Sequence, residues 1–364
     1  LDLNGQTGIT TNSLLLASGA SSNLINSNTS TAASYAKSIS LNNNTPNIGG
    51  AGDMTLSGVL SNGGVGSNGG FTKIGAGTLT LSGANTYAGV TTFESGVVNA
   101  TALSNYGVSG SLGNRSAAQD VPTNIGLLFR GGTLQYTGGT ATSTDRAIRV
   151  STVGGAFLDA SGSVPTATMS FTRTAASPDF YENSGNRQIT FTGTNTGANT
   201  FAMPIQSTGG LTTVNKTGSG RWVLTGASTY SGPTNIQAGV LQIENSTALG
   251  AGTFSTNDWT VISNGASLHL NGNLAVTEHF RLQGNGADGL GAIRSLSGTS
   301  SISQAMGLDG TTQFGVDAGS QLTIVNTIYS AVGTPGLTKS GLGTLILSGA
   351  NSYNGGTNIN GGTL

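Results

Sequence analysis

Apolar and polar residues alternate along this chain in short runs of four or five, and the runs recur from end to end. They are seen at Leu14–Ala17, Met54–Ser57, Thr78–Ser82, Gly126–Phe129, Thr133–Tyr136, Ile189–Thr192, Trp222–Thr225, Val240–Ile243, Ser267–Leu270, Gln321–Val325 and Thr344–Ser348. A period of two places one face of a strand inward and the other in water. Between the runs lie SGAN, TGGT, SNGG and NGNG, in which Gly and Asn supply the conformations that tight turns need. Only Ala33–Ile39 and Ser116–Asp120 offer enough non-breaking residues for a helical turn. The pattern predicts an all-β chain of short strands wound into coils of roughly 20 to 25 residues, stacked one on another. At about 4.8 Å per rung, the chain would make about 15 rungs and a single elongated rod on the order of 70 Å long. Its inward positions would form aliphatic ladders, with Asn or Thr ladders at the corners.

One pattern of about thirty residues occurs three times. It begins at Phe71 as FTKIGAGTLTLSGANTYAGVTTFESGVV, at Val214 as VNKTGSGRWVLTGASTYSGPTNIQAGVL, and at Leu337 as LTKSGLGTLILSGANSYNGGTNINGGTL. Lys73, Lys216 and Lys339 head the three copies, and the chain has only one further lysine, Lys37. A strand–turn–strand unit repeated with no helix between copies is the signature of a solenoid. The expectation is one continuous solenoid over residues 1–364, with Leu79, Trp222 and Leu345 on the same inner face and Gly83, Gly226 and Gly349 at positive φ or in corners too tight for a Cβ. The chain opens directly on LDLNGQ and stops at GGTL, inside the third copy, so it reads as a window from a longer polypeptide.

Composition sharpens this reading. Gly is 60 of 364 residues, whereas charged residues are 7% and net charge is -1. Disorder normally accompanies high net charge and few β-branched residues, so this chain is predicted to fold, with hydroxyls and amides keeping it soluble. Thirteen Lys and Arg spread singly cannot build the positive stripe that nucleic acid requires. No apolar stretch reaches the length of a membrane helix, and the absence of cysteine is compatible with folding outside the cell without redox chemistry.

The shared pattern K-x-G-x-G-T-L-x-L-x-G-x-N-x-Y-x-G-x-T-x-[IV]-x-x-G-x-L resembles the autotransporter-associated β-strand repeat, also called the passenger-associated transport repeat. The third copy matches throughout. The first departs at Phe93 and Val98, and the second has Arg221, Trp222 and Ser228 in place of Thr, Leu and Asn. LDLNG at 1–5, GGTLQYTGGT at 131–140, FLDASGS at 157–163 and SLHLNGN at 267–273 also look like segments of the family's long surface proteins. The resemblance places the repeats at about 71–100, 214–243 and 337–364. It implies a right-handed parallel β-helix (β-solenoid), extracellular or at the cell surface of a Gram-negative-type bacterium.

A coil would bring together acids that lie one coil apart in sequence, and these are the candidate chemistry. Four sets qualify: Asp120 with Asp145, Asp159 with Asp179 or Glu182, Asp258 with Glu278, and Asp288 with Asp309. Asp159, Asp179, Glu182, Arg173 and Arg187 form the one pocket candidate, for a polysaccharide lyase or hydrolase. Fourteen acids in 364 positions produce such spacings by chance, so no residue is assigned a catalytic role. Gly64-x-Gly66-x-x-Gly69 and Gly284-x-Gly286-x-x-Gly289 fit a dinucleotide fingerprint but precede no helical pattern, which leaves no cofactor site. His269 and His279 lack the partners of a metal motif and are expected on the surface or in stacks, so no metal site is assigned.

The function expected is therefore non-enzymatic: an extracellular building block of a fibre, stalk or sheath, associating end to end or continued by the same chain. The alternatives are an autotransported adhesin that binds glycans or host surfaces, with Tyr87, Tyr230 and Tyr353 as candidate glycan contacts against a packing role in the turn, and a β-helix polysaccharide lyase or hydrolase.

Overall fold

In a computed structural model of the chain, residues 1–10, 12–16, 23–64, 68–121, 124–175, 185–207, 209–251 and 258–364 are described. They divide into two compact units, 1–173 with 185–189, and 174–175 with 190–364. Each is a β-solenoid in which strands of successive coils pair in parallel.

In the first unit a column of inward residues runs through Ile48, Lys73, Phe93, Phe129 and Val150. A second runs through Met54, Leu79, Val98, Leu134 and Leu158. All ten side chains are buried, and Phe93 and Phe129 stack with centroids 4.3 Å apart, close to the rung spacing. In the second unit the matching columns are Lys216, Ile236, Ile262, Leu282 and Leu308, and Trp222, Leu241, Leu268, Ile293 and Phe314. Identical positions of successive coils thus become neighbours, and the period of two keeps their apolar side chains on the inside.

All eleven predicted strands form, within a residue or two at their ends, except that Ala17 lies outside the described residues. The helical expectation divides. Ala117–Gln119 is a single 3₁₀ turn, but Ala33–Ile39 makes no helix: Ala33–Tyr35 and Ile39–Ser40 are strands paired with Met54–Leu56 and Leu60–Ser61. Ala33 and Tyr35 alternate inward across Ser34, and the partner strand overrides the weak local preference of this segment. Among the described residues no helix is long and apolar enough to cross a membrane.

Candidate functional site

The three copies of the repeat have one anatomy, which is set by register. Phe71, Val214 and Leu337 pair with Thr91, Thr234 and Thr357 of their own copies. Likewise Leu79 pairs with Val98 and Trp222 with Leu241, while the amide of Leu345 donates to the carbonyl of Thr363 at 2.9 Å. Each repeat therefore folds back so that its second half forms the next rung above its first. Leu79, Trp222 and Leu345 all face the interior and are fully buried, as the alternation predicts.

The Lys of each copy is also fully buried. Its ammonium sits in a cage of three backbone carbonyls, two from the turn that follows it and one from the rung above. Lys73 Nζ donates to the carbonyls of Ile74, Gly75 and Ser95 at 2.9, 2.8 and 3.1 Å. Lys216 Nζ donates to Thr217, Gly218 and Ala238 at 2.7, 2.8 and 3.0 Å, and Lys339 Nζ to Ser340, Gly341 and Gly361 at 2.8, 2.8 and 3.1 Å. An ammonium has three donors and no acceptor, so three carbonyls satisfy it fully. Burial pushes Lys216 down to about 7 and Lys73 to about 8. The cage acts in the other direction, because a neutral amine would leave one carbonyl facing a lone pair. Gly239 closes the second cage at φ +63, where an added Cβ would lie 2.8 Å from Lys216 Nζ and 2.5 Å from two carbonyl oxygens.

Further along the repeat the equivalences continue. Asn85 Oδ1, Ser228 Oγ and Asn351 Oδ1 accept from the amides of Leu60, Ile205 and Ile328 in the rung below, at 2.8, 3.1 and 2.8 Å. The Asn-to-Ser departure in copy two therefore keeps the acceptor. Tyr87, Tyr230 and Tyr353 place their hydroxyls against Thr91, Thr234 and Thr357 Oγ1 at 2.7, 2.5 and 2.6 Å. Tyr87 and Tyr230 are buried, so they pack the turn and cannot contact a ligand. Gly83, Gly226 and Gly349 have ordinary φ, and the corner explains them: a Cβ would come within 2.4, 2.7 and 2.3 Å of backbone in the rung below.

The acid sets have different fates. Tyr106 joins the first: its amide donates to Asp145 at 2.8 Å and its hydroxyl to Asp120 at 2.5 Å, while Arg115 closes on Asp120. For the second, Asp179 and Glu182 lie outside the described residues. Asp159 accepts from Gln135 Nε2 at 2.8 Å and from Ser161 Oγ at 2.5 Å. Of the arginines proposed beside it, Arg187 is buried and Arg173 half-buried. In the fourth set different arginines hold the two acids, Asp309 by Arg281 at 2.9 Å and Asp288 by Arg294 at 2.7 Å. Arg294 also grips Asp317 with two bonds of 2.9 Å.

Asp258 and Glu278 are brought together, and both are buried. Burial, with the Asp258 charge adding to it, pushes the Glu278 carboxyl up to about 8, while a 3.2 Å bond from Thr260 Oγ1 opposes the shift. The folded protein holds this proton more tightly than the unfolded chain does. The resulting stability is complete below 4.5 and is lost as pH rises through about 8. Melting temperature is therefore expected to fall between mildly acidic pH and pH 8 in the parent, and to fall less in Glu278→Gln. Equal slopes in the two melting series would show that Glu278 does not titrate there.

His269 is buried, which corrects the surface expectation. It stands one rung below Arg294, with Nε2 3.8 Å from Asp288, and burial pushes it down to about 4. His279 stacks on Trp259 with centroids 5.8 Å apart. Gly284 ends the strand Phe280–Gly284, and Gly286 and Gly289 lie in the turn between it and the strand Ile293–Ser297, all three at positive φ. Gly66 of the other fingerprint lies outside the described residues. Among the described residues no group of three or more His, Asp or Glu gathers to hold a metal ion.

One signal passed over in the sequence follows the first two copies. Leu112-Gly113 and Leu249-Gly250 each bring the next amide, of Asn114 and Ala251, onto the carbonyl of the repeat tyrosine, at 2.9 and 3.0 Å. The Leu-Gly pair, spaced differently in the two copies, was there to be read.

The passenger-associated-transport-repeat family matches residues 71–100, 214–243 and 337–364, which are the three caged units. The chain therefore carries three copies of the passenger-associated transport repeat. It is similar to an adhesin BmaC autotransporter of Brucella suis biovar 1 (strain 1330), being 37% identical over 150 residues, which cover 41% of this chain and 4% of that protein. No solved structure matches.

Proposed function

We propose that this chain is part of the extracellular passenger of a surface-displayed autotransporter adhesin, where its solenoid holds adhesive surface away from the cell. The observation that carries this reading is the recurrence of one self-stacked, lysine-caged unit, once in the first β-solenoid unit and twice in the second. Such units make length and a long lateral face, since every coil contacts only its neighbours. The similarity to an autotransporter adhesin favours the adhesive reading over an inert fibre.

A non-enzymatic role agrees with the fate of the acids. Arginines neutralise Asp120, Asp288 and Asp309, and Asp258 and Glu278 are both buried. Acid–base catalysis needs groups within reach of a substrate, and this pair offers none. End-to-end association through sheet edges is part of the same proposal.

The test is expression of the full-length gene, with and without the segment 1–364, in a non-adherent Gram-negative host. Protease shaving of whole cells is expected to remove the segment, and cells displaying it are expected to adhere more than those displaying the deletion. A segment protected from protease in intact cells, or adherence unaltered by its deletion at equal display, would overturn the reading.

A further inference from the structure

One face of the second unit gathers aromatic and charged side chains. Its outward column runs Asn235, Val261, Arg281, Gly307 and Tyr329 through successive rungs. Beside Arg281 stands Trp259, with the guanidinium carbon 5.8 Å from its ring centroid and His279 stacked on it at an interplanar angle of 17°. Tyr329 leans across the bare backbone of Gly307, where a Cβ would lie 3.0 Å from the tyrosine ring and 2.8 Å from Arg281 Cδ. Trp259, His279, Arg281 and Tyr329 are all half-exposed, whereas Trp222, the other tryptophan, is fully buried.

Arg281 is fixed from behind by Asp309, which accepts from Nε at 2.9 Å and also from Nη2. The pair cancels in charge yet leaves the guanidinium and carboxylate 31% and 23% exposed, available to a ligand rich in hydroxyls. From the Trp259 rung to the Tyr329 rung is about 14 Å, three steps of about 4.8 Å, and the step is close to the length of one pyranose unit. Aromatic bodies combine apolar surface with polar tips and suit the mixed faces of sugar rings.

We propose that Trp259, His279, Arg281 and Tyr329 form a binding face for a neutral oligosaccharide, whose successive rings lie in step with the rungs. The inference rests on the adhesive reading above and names its ligand class. Neutrality follows from the cancelled Arg281–Asp309 pair, which offers no surplus cation to an acidic sugar.

The two tryptophans make the test specific. Indole ¹H–¹⁵N resonances of the whole chain are followed during titration with cellohexaose, chitohexaose and mannohexaose at millimolar concentrations. At least one sugar is expected to shift the Trp259 signal and leave that of Trp222 in place. Tyr329→Ala and Trp259→Ala are each expected to weaken binding of that sugar about tenfold, with melting temperature near the parent's. Trp259 unmoved by all three sugars, or affinity unchanged in Tyr329→Ala, would overturn the proposal, as would a Trp259 signal that responds only to a protein ligand. Because Tyr329→Ala is read independently, a misfolded Trp259→Ala does not blunt the test. Cells displaying Tyr329→Ala that adhere like the parent would reject the sugar site while leaving the adhesive reading intact.

Discussion

Trp222→Ala is expected to lower the unfolding free energy of the chain by about 4 kcal/mol, the middle of the usual cost of truncating a buried aromatic. The indole is fully buried, lies 5.1 Å from the Phe191 ring, and donates from Nε1 to the Thr192 carbonyl at 2.8 Å. Alanine would leave a cavity between rungs whose backbones are fixed by their own ladders and cannot collapse into it. It would also strand the Thr192 acceptor. Trp222→Leu restores the residue type of the other two copies and refills much of the space, so it should recover more than half of the loss. Denaturant titration of the two variants checks this, and equal stability of Trp222→Ala and the parent would mean that the inner face has been misassigned.

Lys216→Met should cost about 3 kcal/mol. Methionine matches the lysine stem in length and can occupy its column above and below, so apolar packing is nearly conserved. What is lost is the ammonium that donates to the carbonyls of Thr217, Gly218 and Ala238. Bonds from a charged donor contribute about 1.5–3 kcal/mol each, and a buried acceptor left unpaired costs about 1–3 kcal/mol. The terms do not add fully, because the turn can open toward water. The third acceptor, Ala238, belongs to the next rung, so the variant should also loosen stacking of the second half of the repeat on the first. Hydrogen exchange would show this as faster exchange in Thr234–Ile243 than in the strands below.

The strands were legible because a period of two is a local property: Thr133–Tyr136 needs only Leu134 and Tyr136 to alternate with polar neighbours. The repeat was legible because three copies align. Even the choice for Gly83 between positive φ and a crowded corner needed only the rung below. The lysine cage was not legible, since Lys normally lies on the surface and nothing in KIGAG, KTGSG or KSGLG says that three carbonyls converge on one point. That convergence needs the following turn and the carbonyl from the rung above together. Ala33–Ile39 could have made a helical turn, but the partner strand Met54–Leu56 drew Ala33–Tyr35 into the sheet. Acid spacing found Asp258 with Glu278, whereas the Trp259–Arg281–Tyr329 face escaped because its members are spaced by coils that differ in length, and no fixed interval finds them.

Lys73, Lys216 and Lys339 are internal staples of the repeat rather than surface charges. Selective ¹⁵N labelling of lysine, with side-chain ammonium signals recorded on the folded chain at mildly acidic pH, tests this directly. Lys37 is exposed and should exchange with water too fast to be seen. Lys73, Lys216 and Lys339 should give three persistent signals with slowed exchange, each lost on substitution of its own lysine. Four lysines that exchange alike, at the rate of free side chains, would contradict the caged repeat and the stacking built on it.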